Sequence, residues 1–296
     1  MKLACTTADT SIAAGEFLGI NQHIEAGSCV PTQTGTSSAK QITVSFYAKA
    51  NANATYVVQL LNNKHSGYIH NNRTFNVTTS YQRFSITFQA DTTADSKFDG
   101  DLTAAGFSLT WILHAGSNFT SATLASDWAT GTTNRAAGAS SFFSSTSNTF
   151  YITGVQLEVG DTATDFEHRT FADELIKCQR YYQKYAETGG SGSNAYLRYG
   201  IGQNQTTTVS EIFINSQTIM RADPTLIYTG TPANYSLYAR GAVVACTGVA
   251  IEISGHSNNQ LFVLTATVAS GLVAGEAVAF MNNNSSTAFL DFNAEL

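Results

Sequence analysis

Apolar and polar residues alternate with a period of two along most of this chain. Over residues 41–49, Ile42, Val44, Phe46 and Ala48 fall on one face and Thr43, Ser45 and Tyr47 on the other. That is the signature of a half-buried β-strand. Residues 55–61, 81–89, 107–114 and 150–159 have the same β-branched and aromatic content and are predicted as further strands. Between them, Asn51-Ala52-Asn53, Asn62-Asn63-Lys64, Asn71-Asn72 and Asp99-Gly100-Asp101 read as turns. Strands with one dry and one wet face belong in antiparallel sheets. Residues 1–168 are therefore predicted to form two such sheets packed face to face, a sandwich of jelly-roll type. Its long Gly/Ser/Thr-rich loop, residues 115–147, holds Phe119, Leu124, Trp128, Phe142 and Phe143. A loop of that length in a compact domain is expected to be functional or folded back on itself.

The period changes once, in the stretch 150–185. A strand gives way to a polar connector, and then Phe171, Leu175, Cys178, Tyr182 and Tyr185 recur at steps of 4, 3, 4 and 3. This spacing predicts a connecting helix within residues 169–189 with a two-heptad apolar seam. Thr170 is placed to cap its first amides, and Asp173 favours the positive helix start. Two heptads are too few to stand alone in water. The seam therefore packs on its own sandwich or meets identical helices as an oligomer interface; Cys178 reads as a small apolar residue within it. Gly189-Gly190-Ser191-Gly192-Ser193 is expected to be a flexible break. Beyond it, residues 195–202, 207–214, 224–229, 243–253, 261–268, 277–282 and 288–292 read as short strands. Residues 190–296 are thus predicted as a second, smaller sandwich or barrel-like domain. The expected fold class is all-β: two antiparallel sandwiches joined by one short α-helix.

Composition narrows the function. Of 296 residues, 43% are hydrophobic but only 12% are charged, about half the usual charged share. Ser, Thr, Asn, Gln and Gly must supply the wet surface, which suits an extracellular or particle-borne β protein better than a cytosolic enzyme. The formal charge of −6, with no basic stripe, argues against nucleic acid as a partner. No apolar run reaches the roughly 20 residues of a membrane span. Met1-Lys2-Leu3-Ala4-Cys5 resembles the start of a signal peptide but lacks the apolar stretch that should follow, so export by that route is not expected. The four cysteines, Cys5, Cys29, Cys178 and Cys246, are too scattered for a disulfide framework or a zinc knuckle.

Candidate chemistry is sparse. The densest acidic cluster is Glu158, Asp161, Asp165, Glu167, Asp173 and Glu174, beside His168 and Arg169. Paired acids of this kind serve glycoside hydrolysis, but a connector and a helix start also favour acids, and the cluster is read as structural. Asp91, Asp95, Asp99 and Asp101 could ligate calcium, although their spacing is not that of an EF-hand. The histidines are dispersed, and no nucleophile elbow, phosphate loop or dinucleotide fingerprint appears. No catalytic residue, cofactor or metal is assigned. Binding remains: rings stack on sugar faces while amides pair with hydroxyls. The candidates are Trp128, Tyr68, His70 and Arg73 in the first domain, and Tyr235, Tyr238 and Arg240 in the second.

Several runs resemble signatures of tailed-bacteriophage fibre proteins. They are Phe-Tyr-Ile-Thr-Gly-Val-Gln-Leu-Glu-Val-Gly at 150–160, Phe-Glu-His-Arg at 166–169 and Cys-Gln-Arg-Tyr-Tyr at 178–182. Residues 8–15 with 22–25 look like the opening of the same domain, and residues 220–225, 264–272 and 288–296 like the ending of such chains. The resemblance implies a carbohydrate-binding-module-like jelly roll on a virion appendage. It also implies a homotrimer that contacts other tail proteins and binds host-surface polysaccharide, with host contact near the carboxyl end. The departure is that many such fibres carry a long amino-terminal anchoring region, whereas this sequence opens directly in the sandwich. A separate attachment protein or a short appendage is expected. Two rival readings stay open: a head or tail decoration or scaffold protein without a receptor role, and an appendage polysaccharide depolymerase using Glu158 or Asp165.

Overall fold

The computed structural model describes residues 1–186, 196–252, 257–285 and 287–296. The Gly189–Ser193 break predicted above lies outside the described residues. The chain divides into two compact units, Met1–His168 with Leu296, and Arg169–Glu295.

The first unit contains β1 (Lys2–Ala4), β2 (Phe17–Glu25), β3 (Ile42–Ala50), β4 (Ala54–Asn62), β5 (His70–Val77), β6 (Gln82–Phe88), β7 (Ala105–Ala115) and β8 (Thr149–Val159). They form two four-stranded antiparallel sheets in the orders β1-β8-β3-β6 and β2-β7-β4-β5. The inward faces share one core. Phe46 of β3 is fully buried, with its ring 5.2 Å from Phe75 of β5, 5.2 Å from Phe84 of β6 and 5.5 Å from Trp111 of β7. Alternation explains the side chosen by each residue: Ile42, Val44, Phe46 and Ala48 enter the core, as do Tyr56, Val58 and Leu60 of β4. The predicted strands all form. Three others, β1, β2 and β5, were not predicted, and Asn71-Asn72, read above as a turn, is fully buried within β5.

The long loop folds back. Asn72 N–H donates to Ala125 O (3.0 Å), and His70 and Ala129 exchange backbone hydrogen bonds (2.9 and 3.0 Å). The loop therefore lies along the outer edge of β5. Its Ala136, with Phe119 and Leu124, packs on Val57 and Ile112, which point away from the sandwich core.

Of the two forms expected for the second unit, sandwich or barrel, it takes the barrel. β10 (Arg198–Asn204), β11 (Val209–Asn215), β13 (Tyr235–Ala239), β14 (Ala242–Ile251), β15 (Leu261–Val268) and β16 (Ala277–Asn282) form a closed barrel in the order β10-β11-β15-β14-β13-β16. Closure removes the exposed edges that an open sheet would present. Gly202 permits one seam of it: a Cβ there would stand 1.8 Å from Glu211 O. β12 (Thr225–Tyr228), β17 (Phe289–Asn293) and β9 (Tyr182–Ala186) form a separate three-stranded sheet.

The helix also departs from expectation. It spans Phe171–Gln179, with Thr170 Oγ1 accepting from Asp173 N–H (3.2 Å) as predicted. It then stops. Tyr182 and Tyr185, assigned above to its seam, are strand residues paired with Asn293 and Leu290. The reason is tertiary. Gln183 is buried, and its amide donates to Gln179 O (3.1 Å), Ser216 Oγ (2.7 Å) and Thr218 O (3.2 Å). Tyr185 packs its ring 5.6 Å from Phe292. Apart from Gln179, these partners (Ser216, Thr218 and Phe292) lie far downstream in the sequence, beyond the reach of any local period. The remaining seam residues are exposed in the single chain: Phe171 is 81% exposed and Leu175 42%, and Cys178 is exposed as well.

Candidate saccharide-binding cleft

The outward face of the sheet β2-β7-β4-β5 carries a row of polar side chains. Register explains it. Asn21 stands opposite Thr110, Thr110 opposite Gln59, and Gln59 opposite Asn72. Two residues along, His23, Ser108, Leu61 and His70 form a second row across the same four strands. Since side chains alternate faces, all eight point away from the core. All of these but Asn72 line a cleft of about 640 Å³, whose lining also includes Phe17, Tyr68, Gly131, Thr132 and Arg135.

Hydrogen bonds hold the floor in two chains. In the first, Thr110 Oγ1 donates to Asn21 Oδ1 (2.8 Å), and Asn21 Nδ2 meets His23 Nε2 (3.1 Å). His23 Nδ1 is 2.7 Å from Ser108 Oγ, which also accepts from Asn63 Nδ2 (2.8 Å). In the second, Arg135 donates through Nη2 to Gln59 Oε1 (2.6 Å), and Gln59 Nε2 donates to Asn72 Oδ1 (2.6 Å). Asn72 Nδ2 faces Ala125 O and His70 Nδ1, each at 2.9 Å, and His70 Nε2 faces Gly131 O at 2.9 Å. A carbonyl only accepts and an amide nitrogen only donates, so His70 carries its proton on Nε2 and is neutral. Burial, the largest influence, lowers its pKa, and nearby Arg135 lowers it further against the carbonyl of Gly131. Gln59, Asn72 and His70 are essentially fully buried, so this network is satisfied and rigid.

Of the residues predicted to bind sugar, Tyr68 and His70 line the cleft and the others do not. Tyr68 is 62% exposed, at a left-handed φ of 51°. Trp128 packs inward: its ring lies 6.2 Å from Phe107 and its Nε1 donates to Gln89 O (2.7 Å). Arg73 clamps the long loop by donating to Asn71 Oδ1 (2.5 Å) and to Ser126 O. Tyr235 is a core residue, stacked 5.7 Å from Phe280 with its hydroxyl donating to Phe289 O (2.6 Å). Burial pushes that hydroxyl up to about 12, so it is no free surface donor. Tyr238 lies under the Arg198 guanidinium (5.3 Å), and Arg240 pairs with Glu276 (3.5 Å).

In the acidic connector, hydrogen bonds hold the charge of Glu158. Burial raises the carboxyl of Glu158, but hydrogen bonds from Gln156 and Thr164 outweigh it and hold the group below its ordinary range. A general acid needs the opposite shift. Asp91 is buried and accepts from Thr93 N–H (3.0 Å), while Asp95, Asp99 and Asp101 are exposed. Among the described residues no three His, Cys, Asp or Glu side chains gather to hold a metal ion. No described helix is long and apolar enough to cross a membrane.

Sequence reasoning did not single out Phe17, Asn21, His23, Gln59, Ser108, Thr110 or Arg135. The available signal was Gln59 inside the apolar run Tyr56-Val57-Val58-Gln59-Leu60-Leu61, a polar residue where both faces of a strand otherwise read as buried.

No protein-family model matches the chain, and no curated protein matches its sequence. Among solved structures, a carbohydrate-binding module described as CBM4 aligns with 48% of this chain at 19% identity and a TM-score of 0.26, and the chain spans 60% of that module's length. A Parabacteroides distasonis protein aligns with 99% of this chain and 88% of its own length at 10% identity and a TM-score of 0.23. At such scores neither likeness bears on function.

Proposed function

We propose that this chain is a non-catalytic saccharide-binding protein of a tailed-phage virion appendage, with a carbohydrate-binding-module-like jelly roll in its first unit. The saccharide occupies the cleft on the β2-β7-β4-β5 face. The observation that carries this reading is the cleft itself, in which the exposed amide of Asn21 and imidazole of His23 stand on a buried, hydrogen-bonded floor beside the exposed rings of Phe17 and Tyr68. Fixed polar groups pair with sugar hydroxyls, and rings cover sugar faces. The virion assignment is supported by the residue resemblance at 150–182, as are the partners, host-surface polysaccharide and other tail proteins.

Binding is favoured over cleavage because no Asp or Glu lines the cleft among the described residues, and hydrolysis of a glycosidic bond ordinarily needs two carboxyl groups. The test is glycan binding by the purified chain and by Tyr68→Ala and His23→Ala, both exposed positions. Each variant should lose about tenfold in affinity, the worth of one stacking or hydrogen-bonding contact, at unchanged melting temperature. Affinities equal to the parent chain's would remove the cleft from the reading. Reducing ends released from host polysaccharide, and lost in Glu158→Gln or Asp165→Asn, would favour the depolymerase. Failure to bind host cells while docking on particles that lack the protein would favour the decoration role.

Self-association is the second part of the reading. The helix Phe171–Gln179 exposes Phe171, Leu175 and Ile176, the last 55% exposed, and three copies meeting there would bury this strip. Tyr182 and Tyr185 no longer belong to the strip.

A further inference from the structure

We propose that the saccharide held by this cleft is anionic, and that Arg135 is the counter-charge for its acidic group. The inference rests on the saccharide-binding reading and adds the class of sugar.

Arg135 reaches the cleft from the long loop, and its surroundings fix it there. The guanidinium lies 5.7 Å from the ring of Phe17 and 6.0 Å from that of Phe119, and Nη2 is held by Gln59 Oε1 at 2.6 Å. Its Nε is buried and has no hydrogen-bond partner. No described carboxylate lies within ion-pair distance of it, and none lines the cleft. The surrounding chain is acidic, with 21 Asp and Glu against 15 Lys and Arg, so a part-buried guanidinium with no acid beside it runs against the composition. A guanidinium keeps its charge at any ordinary pH, and a charge taken from water without a partner is costly.

The two histidines of the cleft do not compete for that role. His70 is neutral with both ring nitrogens engaged, and His23 has its ring nitrogens on Asn21 and Ser108. Arg135 is thus the one fixed cation among the described residues lining the cleft. Guanidinium N–H groups form charge-assisted hydrogen bonds to carboxylates, and a uronic-acid-type sugar is the acidic class taken first. Sulfate and phosphate esters share the charge and serve as comparison arms.

The test is an array of glycans that pairs uronate-, sulfate- and phosphate-bearing chains with neutral chains of matching backbone, probed with the full-length protein. Binding at least tenfold stronger to the acidic member of a pair supports the proposal, and the preferred arm identifies the anion. In Arg135→Gln that preference should vanish, while Arg135→Lys should keep part of it. Because Arg135 also braces Gln59, the comparison of acidic with carboxyl-reduced glycan on the unmodified protein decides the matter without any variant. Equal binding to acidic and neutral members overturns the anionic assignment and leaves the cleft a neutral-sugar site. No binding to any member overturns both readings.

Discussion

His70 shows at the level of one residue how the cleft is held. Its ring bridges β5 and the long loop, and its neutral form is required by the groups on either side: Asn72 gives one ring nitrogen a proton donor, and Gly131 gives the other an acceptor. Burial lowers its pKa from the ordinary value of 6.5. The unfolded chain therefore takes up a proton at acid pH that the folded chain refuses, and stability falls as pH drops below about 6.5. The slope from this one group is at most about 1.4 kcal/mol per pH unit, and it ends once the folded form also protonates. Urea midpoints at pH 5 and pH 7.5 test this. His70→Gln, neutral throughout, should lose less between the two values than the parent chain does; equal losses would mean that the ring titrates freely. Arg73 and Trp128 teach the complementary lesson. Both residue types suit sugar binding, but one is spent on the carbonyls of Asn72 and Ser126 and the other on Phe107 and Gln89.

Among the elements, β5 and the helix Phe171–Gln179 are the instructive pair. Asn71-Asn72, near the start of β5, reads as a turn because Asn is turn chemistry wherever nothing else satisfies its amide. In the folded sheet the Asn72 side chain is satisfied by Gln59, His70 and Ala125 O, and its backbone N–H by Ala125 O as well. The helix is legible at its start, where Thr170 and Asp173 form a local cap, and illegible at its end, where β17 takes Tyr182–Ala186 as a strand partner. Its exposed strip makes a clear prediction. Leu175→Asp should convert an oligomer to a monomer in size-exclusion chromatography with light scattering, because a carboxylate in an apolar contact costs several kcal/mol. An unchanged mass would place self-association elsewhere. Thr170 caps the same helix, so the substitution at Leu175 should leave its fold intact, as circular dichroism would report.

For the whole molecule, the decisive fact is that each unit has its own core. The residues from Cys5 to Ile152 that surround Phe46 form one, and those from Tyr199 to Ala294 around Tyr235 and Phe280 the other. Every residue lining the cleft belongs to Met1–His168. A fragment of residues 1–168 should accordingly unfold cooperatively and bind glycan within about threefold of the full chain. A fragment that melts cooperatively but does not bind would show that the second unit completes the site. The sequence alone determined the all-β character, the predicted strands of the first sandwich and the capped helix start, because alternation and capping act between residues a few positions apart. Only the tertiary structure decided that the second unit closes into a barrel, that Tyr182 and Tyr185 leave the helix, and that Asn21, Thr110, Gln59 and Asn72 stand in one row. Those outcomes depend on strand register and on hydrogen-bond partners tens to a hundred residues apart, and a polar side chain gives no sign of its partner until the sheets bring the two together.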